Sequence, residues 1–268
     1  MTHLERDGCR IVFEESGAGT PPLVLVHGWC CNRSFLEPQR QHLRSRHRVV
    51  TLDLPGHGES DAPQREYSIP AFAADTAWLC EQLNLDKPVI VGHSMGGAIA
   101  LELAADRPEL IAAAVVLDMA IAPSAAVQQA WAELIPQLHA EDYRNAARTA
   151  MERSYFIATD DPQRKAWIVE TMLATPQHVM AAAMEGIAAW DSVRAATNAR
   201  VPVLNISSSA PRADVARFHA LCPHLVHGQV VGAGHFFQLE VPDQVNPMIE
   251  RFLALHVDGR VGGRPSAI

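Results

Sequence analysis

Apolar positions along this chain fall into two rhythms. Short, near-continuous runs occur at Arg10–Phe13, Leu23–Val26, Arg48–Leu52, Val89–Val91, Ala114–Leu117, Val203–Ile206 and Gln229–Val231. Such runs suit strands buried on both faces, and their alternation with longer helical stretches predicts βαβ units around a mainly parallel sheet. Val230 and Val231 are accordingly assigned to the core. Met95 to Arg107, rich in Ala and Leu and stopped by Pro108, reads as a buried helix; Ser68-Ile69-Pro70 reads as the start of another, carrying Phe72, Trp78, Leu79 and Leu83. From about Pro123 to Asp191 the alternation stops. That interval holds no convincing strand and keeps a helical period, which predicts an inserted helical cap over residues 123–192, between core segments 1–122 and 193–256. The tail over 257–268, with Gly259, Gly262, Gly263 and Pro265, has too little apolar surface to offset its ordering entropy and is expected to be disordered. No internal repeat is visible.

Composition removes several classes of function. The 268 residues carry 22 Lys+Arg against 30 Asp+Glu, a net charge of −8, which lacks the basic excess that nucleic acid or an anionic membrane surface requires. No apolar run approaches the ~18–20 residues of a membrane span. The first residues, Met1 to Asp7, contain no apolar h-region, so a cytoplasmic location is expected. Five scattered cysteines, Cys9, Cys30, Cys31, Cys80 and Cys222, are expected as reduced thiols. His219, Cys222, His224 and His227 crowd together, but their spacing matches no common zinc pattern, and no metal is expected.

The chemistry concentrates after Val89–Val91, where Gly92-His93-Ser94-Met95-Gly96 leads into the Ala/Leu helix. A G-x-S-x-G between a strand and a helix is the pattern of a nucleophile elbow. The sharp turn holds the serine in a strained conformation, small neighbours let strand and helix approach, and the helix N-terminus offers free N–H groups.

Taken with Val26-His27-Gly28-Trp29, Asp53-Leu54-Pro55-Gly56-His57-Gly58-Glu59-Ser60 and Gly232-Ala233-Gly234-His235, all in order, this elbow resembles the α/β-hydrolase fold superfamily over nearly the whole chain. The resemblance implies an α/β-hydrolase fold with a helical cap, Ser94 as nucleophile and His235 as general base, with oxyanion-binding backbone N–H groups at Met95 and Trp29. His27 and His57 are expected to serve loop geometry.

The acid departs from the family's pattern. Most members place an Asp shortly after the strand equivalent to Val203–Ile206, where this chain has Ser207-Ser208-Ser209-Ala210-Pro211. Asp118, at the end of Ala114–Leu117, is the preferred alternative because some members carry the acid there; Asp214 and the absence of any functional carboxylate are the others.

The displaced acid and Gly28-Trp29-Cys30 bring a second resemblance, to cofactor-free ring-cleaving dioxygenases of 3-hydroxy-4-oxoquinolines. In those enzymes a His–Asp pair deprotonates the substrate for direct reaction with O₂. They carry histidines where this chain has Cys31 and Met95, and the elbow here has the ordinary hydrolase form. The reading is therefore a carboxylesterase-like serine hydrolase, using Ser94, His235 and Asp118 on an ester, lactone or related acyl bond of a small, mostly apolar molecule, without a cofactor. The dioxygenase and a catalytically inactive ligand-binding relative are the alternatives. Trp29, His93, Met119, Ile121, Trp131, Tyr155, Phe156, Trp190 and Phe236, with Phe237 beside them, are candidates to line the pocket. A monomer or homodimer is expected.

Overall fold

The structure, a computed structural model, describes residues 2–257. Among them, eight strands form one sheet in the order β1-β2-β4-β3-β5-β6-β7-β8. These are β1 (Thr2–Arg6), β2 (Cys9–Ser16), β3 (Leu23–Val26), β4 (Val49–Leu52), β5 (Val89–His93), β6 (Ala113–Leu117), β7 (Val203–Ser207) and β8 (Leu225–Gln229). The β1–β2 and β2–β4 pairs are antiparallel and every other pair is parallel.

Strands β3 to β7 are buried at every position. Alternate residues feed two cores. Val24, Val26, Val50, Ile90, Ala114 and Val116 face one side; Leu23, Leu25, Val49, Val89, Val91, Val115 and Leu117 face the other. The first side is covered by α2 (Ile69–Gln82), α3 (Met95–Asp106) and α8 (Ser192–Asn198), the second by α1 (Glu37–Leu43) and α11 (Pro242–His256). Ser68 caps α2 by accepting from the Ala71 N–H at 3.3 Å, with Pro70 in the first turn.

Between β6 and β7 come α4 (Ala125–Leu138), α5 (Tyr143–Ser154), α6 (Pro162–Leu173) and α7 (Gln177–Ala189), and after β7 follow α9 (Val215–Leu221) and α10 (Phe237–Glu240). The α4–α7 interval contains no strand among the described residues.

Two expectations need correction, and one strand is new. The strand expected at Gln229–Val231 lies earlier, at β8, and ends at Gln229; Val230 is buried but Val231 is 77% exposed, in the loop leading to His235. β1 is an additional, solvent-facing edge strand whose polar sequence hides it. Phe237 belongs to the second core rather than to a pocket. The cysteines are unpaired thiols, all buried, and no helix is long and apolar enough to cross a membrane, both among the described residues. The expected disordered tail lies outside the described residues except for Val257.

Candidate active site

Ser94 sits between β5 and α3 with φ 52° and ψ −118°, a backbone conformation that non-glycine residues rarely adopt. The turn is held open by what surrounds it. Its N–H donates to Leu117 O at 2.8 Å, and its carbonyl accepts from Gly97 N at 2.7 Å. A Cβ on Gly92 would lie 1.9 Å from Gly96 O, and one on Gly96 would lie 2.1 Å from Val26 O. Both positions therefore require glycine so that β5, α3 and β3 can approach. Ser94 is half-buried, and its Oγ has no hydrogen-bond partner among the described residues.

His235 and Asp118 arrive from opposite ends of the sequence. Asp118 follows β6 in a left-handed conformation, φ 55°, and is pinned to the neighbouring strand by its N–H to Ile206 O at 3.0 Å. Its Oδ2 lies 2.9 Å from His235 Nδ1, and its Oδ1 accepts from Ser208 N at 3.0 Å. An ionised carboxylate only accepts, so Nδ1 carries the imidazole proton and Nε2 keeps its lone pair. Burial raises the Asp118 carboxyl, opposed by the Ser208 N–H and the Arg212 guanidinium. Burial, then Arg212, holds His235 well below the ordinary histidine value, so the resting ring is neutral.

His235 is also clamped through its backbone. His235 N–H donates to Tyr155 O at 2.8 Å, and Gly234 N–H donates to Asp160 Oδ1 at 2.8 Å. Asp160 Oδ2 accepts from Ile157 N at 2.8 Å, and Thr159 Oγ1 donates to Gly232 O at 3.0 Å. The segment joining α5 to α6 thus holds the loop that carries the imidazole.

On the other side of Ser94, a Cβ on Gly28 would lie 3.2 Å from Ser94 Cβ, which places the Trp29 loop against the Ser94 side chain. The backbone N–H groups of Trp29 and Met95 donate to no acceptor among the described residues. Trp29 itself is anchored by its Nε1–H to Met180 O at 2.9 Å, on α7. His27 orders the same loop: its Nε2 accepts from Leu54 N at 3.0 Å and its Nδ1 lies 2.8 Å from Gly28 O. His57 Nδ1 lies 3.0 Å from Pro55 O, so both histidines serve loop geometry.

Of the pocket candidates, the structure gathers Tyr155 and Phe236 at the imidazole, with ring centroids 4.8 and 5.2 Å from that of His235; Phe156 stacks on Phe236 at 5.8 Å. Met119 and Ile121 are buried in the first core. Trp131 and Trp190 line a cavity of about 420 Å³ with Met119 and Ile187, whose walls include neither Ser94 nor His235. The Trp190 Nε1–H donates to Glu102 Oε2 at 2.8 Å, outside the site.

His93 is not among the residues that line the cavity of Trp131 and Trp190. It is fully buried, its Nε2 is 2.9 Å from His235 O, and burial followed by the neighbouring His235 pushes it down to about 3. Asp214 is an exposed helix cap that accepts from Arg217 N at 3.0 Å and does not reach His235.

Arg212 was not foreseen. It lies in the loop after β7, with Nε 3.9 Å from Asp118 Oδ2, Nη2 donating to Ser154 O at 2.7 Å, and Cζ 4.7 Å from the Tyr155 ring centre. The only hint in the sequence is a basic residue closing the very loop that lacks the usual carboxylate.

Among the described residues no three His, Cys, Asp or Glu side chains converge to hold a metal. Of the suspected zinc group, Cys222 Sγ lies 3.6 Å from His224 Nε2, whereas His227 is on β8 beside Asn205 Nδ2 at 3.2 Å.

A mainly parallel sheet with a strained serine at the strand–helix turn and a buried His–Asp pair at the same edge defines an α/β-hydrolase-type protein. The model of the α/β hydrolase fold family matches residues 21–242, and the chain belongs to that family. It is similar to the crystal structure of an enol-lactonase from Burkholderia xenovorans LB400, at TM-score 0.85 and 23% identity, covering 94% of this chain and 100% of the other. It is also similar to a thermophilic esterase from Thermogutta terrifontis, at TM-score 0.84 and 25% identity, covering 94% and 98%. By sequence it is 35% identical to epoxide hydrolase 4 of Mus musculus over 118 residues, 43% of this chain and 33% of that protein. The chain spans about a third of the length of the curated relatives it matches.

Proposed function

We propose that this protein is a serine hydrolase that cleaves an ester, lactone or related acyl bond of a small, mostly apolar molecule. The observation that carries the reading is the 2.9 Å contact of His235 Nδ1 with Asp118 Oδ2, at the same sheet edge as the strained, half-buried Ser94. Ser94 Oγ attacks the carbonyl carbon while His235 Nε2 takes its proton; the imidazolium is stabilised by Asp118 and returns the proton to the leaving oxygen. Water, deprotonated by the same imidazole, then releases the acyl group. The Trp29 and Met95 N–H groups, unspent on protein acceptors, hold the oxyanion. Buried thiols do not compete as nucleophiles, because burial pushes Cys30 and Cys31 well above the ordinary cysteine value.

Cofactor-free dioxygenation would use the same His235–Asp118 pair. Against it stands the apolar, buried character of Met95 and Cys31, whose Sγ is engaged with Trp29 O at 3.4 Å. The test is hydrolysis of p-nitrophenyl acetate and butyrate by the protein and by Ser94→Ala, beside oxygen uptake with a 3-hydroxy-4-quinolone. Ester cleavage abolished by Ser94→Ala is the expected result. Oxygen uptake that survives Ser94→Ala, with no ester cleavage, overturns the reading.

A further inference from the structure

The loop after β7 lacks the family's usual carboxylate, yet it still reaches the acid. Ser208 donates its N–H to Asp118 Oδ1 at 3.0 Å, and Arg212 brings its Nε to 3.9 Å from Asp118 Oδ2, the oxygen that faces His235. Arg212 is held there by two further contacts: Nη2 to Ser154 O at 2.7 Å and Cζ over the Tyr155 ring at 4.7 Å. Tyr155 in turn receives the His235 N–H on its carbonyl, at 2.8 Å. A single half-buried guanidinium therefore stands beside the acid, bonds the segment that clamps the base, and lies over the Tyr155 ring, which is tilted against the base at 4.8 Å between centroids.

We propose that Arg212 is a positioning residue of this site: from the loop after β7 it supplies the positive charge beside the Asp118–His235 pair and ties that pair to Ser154 and Tyr155 at the end of α5. The proposal rests on the reading of Ser94, His235 and Asp118 as the reacting groups. Its consequence is electrostatic. A fixed cation near an imidazole disfavours the imidazolium, and one near a carboxylate favours the anion. Arg212 acts in that sense on both groups, in each case after burial.

The other groups facing the pair do not duplicate this charge. His93, on β5, has its ring centre 4.6 Å from that of His235 and stays neutral, pushed down to about 3 by burial. Tyr155 stays protonated, pushed up to about 12 by burial. Cys30 and Cys31, which interact with Tyr155, remain thiols. Asp160, behind the base's loop, is taken up by the Gly234 and Ile157 N–H groups.

The test compares wild type, Arg212→Gln, Arg212→Met and Arg212→Lys, each checked for a cooperative melt. The kcat/KM pH profile for p-nitrophenyl butyrate and the His235 imidazole titration by ¹⁵N NMR are both read. In the neutral variants the acid limb and the imidazole titration should move up by about one pH unit, while Arg212→Lys stays near wild type. Unmoved titrations in Arg212→Gln and Arg212→Met, or an equal shift in Arg212→Lys, overturn the proposal. Because the NMR titration needs no turnover, absence of ester cleavage would sink the hydrolase reading while leaving Arg212 separately judged.

Discussion

Lowering the pH from 7.5 to 5.5 should cost this protein roughly 4 kcal/mol of stability through three histidines alone. His27, His57 and His93 are buried and neutral; burial foremost pushes them down to about 4, 3 and 3. In the unfolded chain each titrates near 6.5. The unfolded state therefore binds more protons, so the stability these groups contribute is complete above about pH 6.5 and is lost as the pH falls toward their folded values. At pH 5.5 each unfolded histidine is about one unit past its midpoint, which gives ~1.4 kcal/mol per residue and about 4 kcal/mol for the three. Asp75, Asp118 and Glu102, raised by burial, oppose this as they approach their own titrations, so the window stops at pH 5.5. Set against the 5–15 kcal/mol of a typical domain, the loss should be large. Urea unfolding followed by far-UV circular dichroism at the two pH values measures it. A change below about 1 kcal/mol at constant m-value would show that these imidazoles are not buried neutral, and would undo the account of His27 as the organiser of the Trp29 loop.

Two further predictions concern the base and its anchor. Asp118→Asn should keep the melting temperature within a few degrees yet lower kcat by about 10³–10⁴-fold on a p-nitrophenyl ester, because the amide no longer favours the Nδ1–H tautomer or stabilises the imidazolium; full activity would remove Asp118 from the mechanism. Asp160→Ala leaves the Gly234 and Ile157 N–H groups without their 2.8 Å acceptor, at about 1–3 kcal/mol each. Denaturant unfolding should register a loss of that order, and kcat should fall with it as the loop before His235 loosens. A kcat equal to wild type would show that Tyr155 O alone holds the base.

What the chain reveals by pattern is what local backbone geometry demands. Gly92 and Gly96 can be read because adding a Cβ to either meets backbone within about 2 Å, so the elbow leaves a mark on residue type. The fully buried strands β3 to β7 are continuous apolar runs for the same reason of local necessity. Edge strands have no such requirement. β1 is polar and mostly exposed, and β8 buries only Leu225 and then alternates half-buried with exposed positions through His227 and Gly228, so the apolar pair Val230-Val231 just beyond it imitates the strand. Arg212 reaches Asp118 and Asp160 reaches the Gly234 N–H across long stretches of sequence, and neither of these demands leaves a pattern in the neighbours along the chain. His93 misleads for a related reason: its place beside the nucleophile suggests a role toward substrate, while its ring turns to the carbonyl of His235.

On the proposed reading of Asp118 as the acid, its displacement follows from the sheet. β6 and β7 are parallel neighbours, with Leu117 opposite Ile206, and Asp118 N–H bonds to Ile206 O at 3.0 Å. The positions just past the two strands therefore stand side by side at one edge, and a carboxylate from either can address the same imidazole nitrogen. Moving it from β7 to β6 requires that the backbone turn sharply past β6, and Asp118 does so with φ 55°, a conformation that Asp tolerates better than most residues. The vacated loop after β7 then becomes free to serve the acid from outside. Its Ser208 N–H fills the second carboxylate oxygen, and its Arg212 supplies charge. Relocation of the acid and recruitment of Arg212 are on this view one change, so a carboxylate restored at Ala210 should compete with Asp118 for Arg212 rather than add to it.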